Sequence, residues 1–270
     1  MSKIGCAGCQ GGEALPFAFT MAFHPIVNVS LGRVWGYEAL VRGTEGQGAG
    51  QILGMVDDTN RYKFDQACRV KAIELAGALF PDAETRLSIN FMPNAVYEPA
   101  ACIRATLEAA RRVGFAHRQI MFEFTENERM TDVAHVQRII TEYRKHGFAT
   151  ALDDFGAGYA GLNLLANFQP DFIKLDMELI RGIATSAARQ TIVASVVTMA
   201  RTLGVAVIAE GIETEAELAT LRATGIELFQ GYLFAKPAVA CLPAAWFPQR
   251  DGVGSSPTSA ATAAISAHAA

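Results

Sequence analysis

The sequence predicts an α/β fold, a TIM-like (β/α)8 barrel with an antiparallel first strand. Three observations lead there. Short β-branched or aromatic runs alternate with longer amphipathic stretches, eight such runs fall within residues 19–248, and only SLGR separates the first run from the second. A parallel return between neighbouring strands needs about a dozen residues or more, so a link that short predicts a hairpin. A doubly wound open sheet shows the same alternation and stands as the alternative.

Taken in order, Ala22–Val29 and Val34–Arg42 are the hairpin strands. The segment GTEGQGAGQILGMVDDTNRYKFDQACR then follows Arg42, glycine-rich at its start, and is expected to shape the rim. The third run is Arg86–Pro93 and the fourth Ile120–Glu126. A helical pattern over Val133–Gly147, stopped by its glycine, leads to the fifth, Phe148–Gly156. Phe172–Asp176 is the sixth. Arg189–Gly204 repeats the glycine-ended helical pattern before the seventh run, Val205–Ile212, and Leu228–Phe234 is the eighth. FATAL and VAVIA are nearly all apolar, as strands buried on both faces are.

The 270 residues carry 23 Lys and Arg against 27 Asp and Glu, a formal charge of −4. That balance, without a basic tract, argues against binding duplex nucleic acid through its phosphates. No apolar run reaches the roughly 18 residues a membrane-spanning helix needs, so membrane insertion is not expected. The start, MSKIGCAGCQGGEALPF, lacks the apolar stretch of a secretory signal and predicts a cytoplasmic protein. Five scattered cysteines do not suggest a disulfide framework. Cys6 and Cys9 form a C-x-x-C pair with no second pair to complete a structural zinc site, so residues 1–18 read as an inert leader, with a redox or metal role as the alternative. Residues 249–270 are small and low in complexity, and read as a disordered tail.

In a parallel barrel the chemistry sits where strands end. Here those ends carry Glu38 and Arg42, Asn90, Glu123 and Glu126, Asp153 and Asp154, Lys174 and Asp176, Glu210 and Glu213, and Gln230. Singly, each reads as a helix cap or a solvated loop residue. Together, a closed barrel would gather Glu38, Glu123, Asp153, Asp154 and Glu210 at one mouth, where like charges repel unless protonated or neutralised. Divalent cations solve that problem, and an all-oxygen donor set suits Mg2+ or Mn2+. Two ions about 3.5 to 4 Å apart, bridged by one carboxylate of the Asp153-Asp154 pair, would suit phosphodiester hydrolysis. Lys174 would then orient water or phosphate, Glu210 would take a proton, and Arg42 would hold a phosphate.

From about Phe19 to Pro248 the chain resembles the EAL-domain cyclic-di-GMP phosphodiesterases. Glu38-Ala39-Leu40 is followed in the family's order by INFMPN at Asn90, Glu123-x-Thr125-Glu126, DDFGAGYAGL from Asp153, IKLD at Lys174, AEGIE at Glu210 and QGYLFAKP from Gln230. The resemblance implies hydrolysis of cyclic di-GMP to linear pGpG. It implies Glu38, Asn90, Glu123, Asp153 and Asp154 as metal ligands, Lys174 as the catalytic lysine, Glu210 as the residue assisting the nucleophilic water, and Glu126 as a support for the loop after Asp154. Arg42, Asp176, Glu213 and Gln230 match positions near the ligand. A homodimer is implied as well, and since no sensor segment is recognised in the sequence, a separate sensor or effector protein is expected, or else the protein acts alone. Ala157, Ala160 and Gly161 stand where the family commonly has hydroxyl residues, a departure that bears on loop-dependent regulation. A catalytically inactive cyclic-di-GMP receptor is the competing reading, and a module for protein interaction alone is a third.

Overall fold

In a computed structural model of the chain, residues 15–125, 133–158 and 161–248 are described. The strands are β1 (Phe19–Asn28), β2 (Arg33–Gly43), β3 (Arg86–Asn90), β4 (Ile120–Thr125), β5 (Ala149–Phe155), β6 (Phe172–Leu175), β7 (Ala206–Ala209), β8 (Leu228–Gln230) and β9 (Ala238–Val239). The helices are α1 (Ala49–Leu53), α2 (Arg61–Leu79), α3 (Pro99–Cys102), α4 (Arg104–Val113), α5 (Val133–Lys145), α6 (Gly161–Asn167), α7 (Met177–Ile180), α8 (Ala187–Leu203) and α9 (Glu215–Arg222).

β2 to β8 are neighbours in chain order, each pair parallel. β1 pairs antiparallel with both β2 and β8 and closes the sheet into a barrel. This is the expected architecture, and the hairpin explains it: a strand reversed by a tight link can only enter the sheet antiparallel. The open sheet is thereby excluded.

Several strands are shorter than the apolar runs that signalled them. β7 stops before Glu210 and β8 at Gln230, because Gly211 (φ +67°) and Gly231 (φ +157°) turn the chain out of the sheet. β9, which pairs with β1, and the 19-residue helix α2 were not anticipated. The buried face of α2 mixes Phe64, Ala72, Ile73 and Ala76 with Asp65 and Arg69, which breaks the apolar periodicity that marks a helix.

Two apolar layers organise the molecule. The larger lies between the sheet and its helices, and includes Phe23, Phe122, Phe124, Leu152, Ile173 and Leu175. The smaller fills the barrel floor with Ile26, Met121, Ala151, Phe172, Ile208 and Leu228. Side chains alternate across a strand, so the residue two places on from each floor residue also faces inward, nearer the mouth. On five parallel strands those residues are Glu123, Asp153, Lys174, Glu210 and Gln230. A floor of ordinary hydrophobic packing thus sits beneath a ring of polar groups.

Candidate active site

Lys174 stands at the centre of the ring and is 1% exposed. Its ammonium lies 2.9 Å from Glu123, 3.0 Å from Asp153, 2.6 Å from Glu210 and 3.8 Å from Glu38. Four carboxylates from strands or strand ends far apart in sequence therefore meet on one cation. Three ammonium hydrogens cannot serve four carboxylates, and the buried Oδ1 of Asp153 has no hydrogen-bond partner. Glu123, fully buried, also accepts a hydrogen bond from Ser88 Oγ on β3.

Glu38 is held from both sides. Asn90 Nδ2 donates to its Oε1 at 2.7 Å and Gln230 Nε2 to its Oε2 at 2.8 Å. Gln230 also donates to Nδ1 of His24, a mouth residue that sequence reading missed. Asp153 and Asp154 are adjacent yet both reach the mouth because β5 bulges there. Leu152 pairs with Ile173 and Phe155 with Leu175, three steps against two, and Asp154 takes φ +54°.

Charge shapes the titration of these groups. Burial, reinforced by Glu38 and Asp153 and opposed by Lys174, pushes Glu123 well above the ordinary carboxylate range. Burial likewise raises Glu210, with Lys174 opposing and Asp153 adding repulsion. Asp154 is pushed up to about 6 by burial and by Asp153 and Asp176. Glu38 is the exception: burial disfavours its charge, but Lys174 and the Gln230 and Asn90 amides hold its carboxyl below the usual range. Lys174 itself sits well above the ordinary lysine value, the carboxylates outweighing the cost of burial.

The donor set fits a pair of divalent cations. Glu38, Glu123 and Asp153 offer oxygens within 4.8 Å of one another, as do Asp153, Asp154 and Glu210, and the two triplets share Asp153. Five carboxylates against one ammonium leave four formal negative charges when all are ionised, the charge that two divalent ions neutralise. An adjoining cavity of about 680 Å3 reaches from Glu38, Asn90, Asp153 and Asp154 to Leu40, Arg61 and Phe64.

The other anticipated residues are placed as follows. Arg42 is half-buried at the end of β2, with Nη1 donating to its neighbour's carbonyl at Val41. Asp176 caps α7, its Oδ1 accepting from the Glu178 amide at 2.7 Å. Glu213 is exposed and pairs with Arg181 at 2.8 Å. Gln230 is buried against Glu38 and His24 rather than facing open space. Glu126, Cys6, Cys9 and residues 249–270 lie outside the described residues. Among the described residues no helix is long and apolar enough to cross a membrane.

The c-di-GMP-bound form of a standalone versatile EAL protein from Vibrio cholerae O395 superposes with a TM-score of 0.83 at 52% identity, covering 86% of this chain and 97% of that one. Klebsiella pneumoniae BlrP1, in a manganese and cy-diGMP complex, gives 0.78 at 38% identity over 84% of this chain and 58% of its own. The blue light- and temperature-regulated antirepressor BluF of Escherichia coli K12 is 33% identical over 229 residues, 85% of this chain and 57% of BluF. The cyclic di-GMP phosphodiesterase NbdA of Pseudomonas aeruginosa is 30% identical over 226 residues, 80% of this chain but 28% of NbdA. This chain thus spans just over half of one relative and about a quarter of the other. Residues 17–237 match the EAL domain model. Because that match runs through every strand of the barrel from β1 to β8, this chain belongs to the EAL-domain family.

Proposed function

We propose that residues 19–248 form a metal-dependent phosphodiesterase that hydrolyses cyclic di-GMP to linear pGpG. The observation that carries this reading is the pair of carboxylate triplets sharing Asp153 around Lys174. The relatives named for cyclic di-GMP hydrolysis, and those solved with that ligand or with manganese, support it.

Glu38, Asn90, Glu123, Asp153, Asp154 and Glu210 would hold a pair of Mg2+ or Mn2+ ions, around the two carboxylate triplets that share Asp153. When bound, such a pair acidifies a water and offsets charge on the phosphoryl oxygens. Glu210 accepts the proton of the attacking water as its oxygen bonds to phosphorus. Lys174 stabilises the charge growing on the phosphoryl group while the bond to the ribose 3′ oxygen breaks and that oxygen takes its proton from solvent water. Arg42, whose neighbour Val41 lines the cavity, would offer a guanidinium fork to the second phosphate. Asp176 and Glu213 act at one remove, by fixing the loops they cap and pair.

The test is incubation of the purified chain with cyclic di-GMP and Mg2+ or Mn2+, with and without a chelator, reading nucleotides by chromatography. Linear pGpG should appear only with metal. Glu38→Ala and Asp153→Asn should each reduce its formation by at least about 100-fold while leaving the fold intact. BluF is named an antirepressor, which favours a receptor as the second reading. Metal-replete binding without turnover would establish that one instead.

A further inference from the structure

We propose that His24 is a positioning residue for Glu38, acting through Gln230 as a neutral imidazole protonated on Nε2. The inference rests on the reading of Glu38 as a metal ligand.

His24 lies on β1 directly opposite Glu38 on β2. Its Nε2 is 3.1 Å from the Ala235 carbonyl oxygen, which can only accept, so Nε2 carries the hydrogen. Its Nδ1 is 2.8 Å from Gln230 Nε2, which can only donate, so Nδ1 is bare. The amide's second hydrogen goes to Glu38 Oε2 at 2.8 Å. Turning the amide over would set its oxygen against the Glu38 carboxylate, so the Gln230 orientation follows from charge. The Tyr232 ring, with its centroid 5.9 Å from that of the imidazole, packs beside it.

The chain of bonds runs from Ala235 to His24 to Gln230 to Glu38. Asn90 secures the other oxygen of Glu38, and removing His24 leaves Gln230, the support on this side, without its own anchor. Supports of this kind typically change metal affinity by about 10- to 100-fold.

Two variants separate positioning from space-filling. His24→Phe keeps the ring and removes both nitrogens. His24→Asn loses volume but carries an amide oxygen close to where the ring has Nδ1. Calorimetric titration of the full chain with Mn2+ should show affinity about 10-fold weaker or worse in His24→Phe and close to wild type in His24→Asn. A space-filling role gives the reverse order and overturns the proposal, as does wild-type affinity in His24→Phe. If the wild-type chain takes up no Mn2+, the metal reading fails and this inference with it. Nitrogen NMR of the wild-type chain with Mg2+ adds a check independent of whether His24→Phe folds. The resonance that vanishes in His24→Asn should show an unprotonated Nδ1, and a protonated Nδ1 overturns the assignment.

Discussion

Asp154 shows how a single backbone choice sets up chemistry. Its φ of +54° is a conformation that aspartate tolerates better than most residues, and it turns the side chain toward the mouth beside Asp153. The same placement raises its pKa to about 6, through burial first and then Asp153 and Asp176. A carboxyl raised in the folded state favours folding below its unfolded value, ordinarily near 3.9, and loses that contribution as pH climbs through about 6. Asn mimics the neutral acid at every pH. In chelated samples the melting temperature of wild type relative to Asp154→Asn should therefore fall by a few degrees between pH 4 and pH 7. Saturating Mg2+ should reverse the difference, since the metal then rewards the charged form. A pH-independent difference in chelator would show that Asp154 titrates as an ordinary surface group.

Among the elements, the short strands and their glycine exits decide where the ring residues stand. Gly211 follows Glu210 with φ +67°, and an added Cβ would lie 2.4 Å from Met177 Cβ on α7. Gly204, at the end of α8, has nearly the same φ of +72° but open space around it. Gly204→Ala should thus cost only about 1 kcal/mol for its backbone strain, with hydrolysis unchanged. Gly211→Ala adds a collision that must move α7 or the Glu210 loop, so it should lose at least about 10-fold in hydrolysis and more than Gly204→Ala in urea stability. Equal effects of the two would mean that α7 yields freely. The mouth residues on the parallel strands were legible as polar groups at the ends of apolar runs, five of them two places after a floor residue, as Glu123 follows Met121. His24 obeys the same rule backwards. β1 is antiparallel, so its mouth residue precedes its floor residue, Ile26, and a search for polar groups at strand C-terminal ends passes over it. α2 was illegible for a different reason, its buried charges masking the apolar face.

Across the whole molecule, those charges of α2 link the barrel to its helical shell. Arg69 is fully buried, with its guanidinium 5.2 Å from the ring centroids of both Phe91 and Phe122, and it donates to the Tyr143 hydroxyl on α5. Its Nη2 lies 2.7 Å from Asp65 Oδ2, while Asp65 Oδ1 accepts the Met92 amide at 2.9 Å. Asp65 thereby ties α2 to the loop just after Asn90. Burial raises the Asp65 carboxyl despite the neighbouring Arg69, a sign that desolvation is not fully offset. Removing one partner of such a pair leaves the other buried without its counter-charge, whereas removing both deletes the desolvation cost along with the attraction. Arg69→Met should lower the unfolding free energy by about 3 to 5 kcal/mol in urea titrations. Asp65→Leu combined with Arg69→Met should recover part of that loss. A residual deficit of about 1 to 3 kcal/mol is expected, because the Met92 amide would have lost its acceptor in a buried place. A double variant no more stable than Arg69→Met alone would show instead that the attraction between the two charges exceeds the cost of desolvating them, and that the shell is held to the barrel by the ion pair itself.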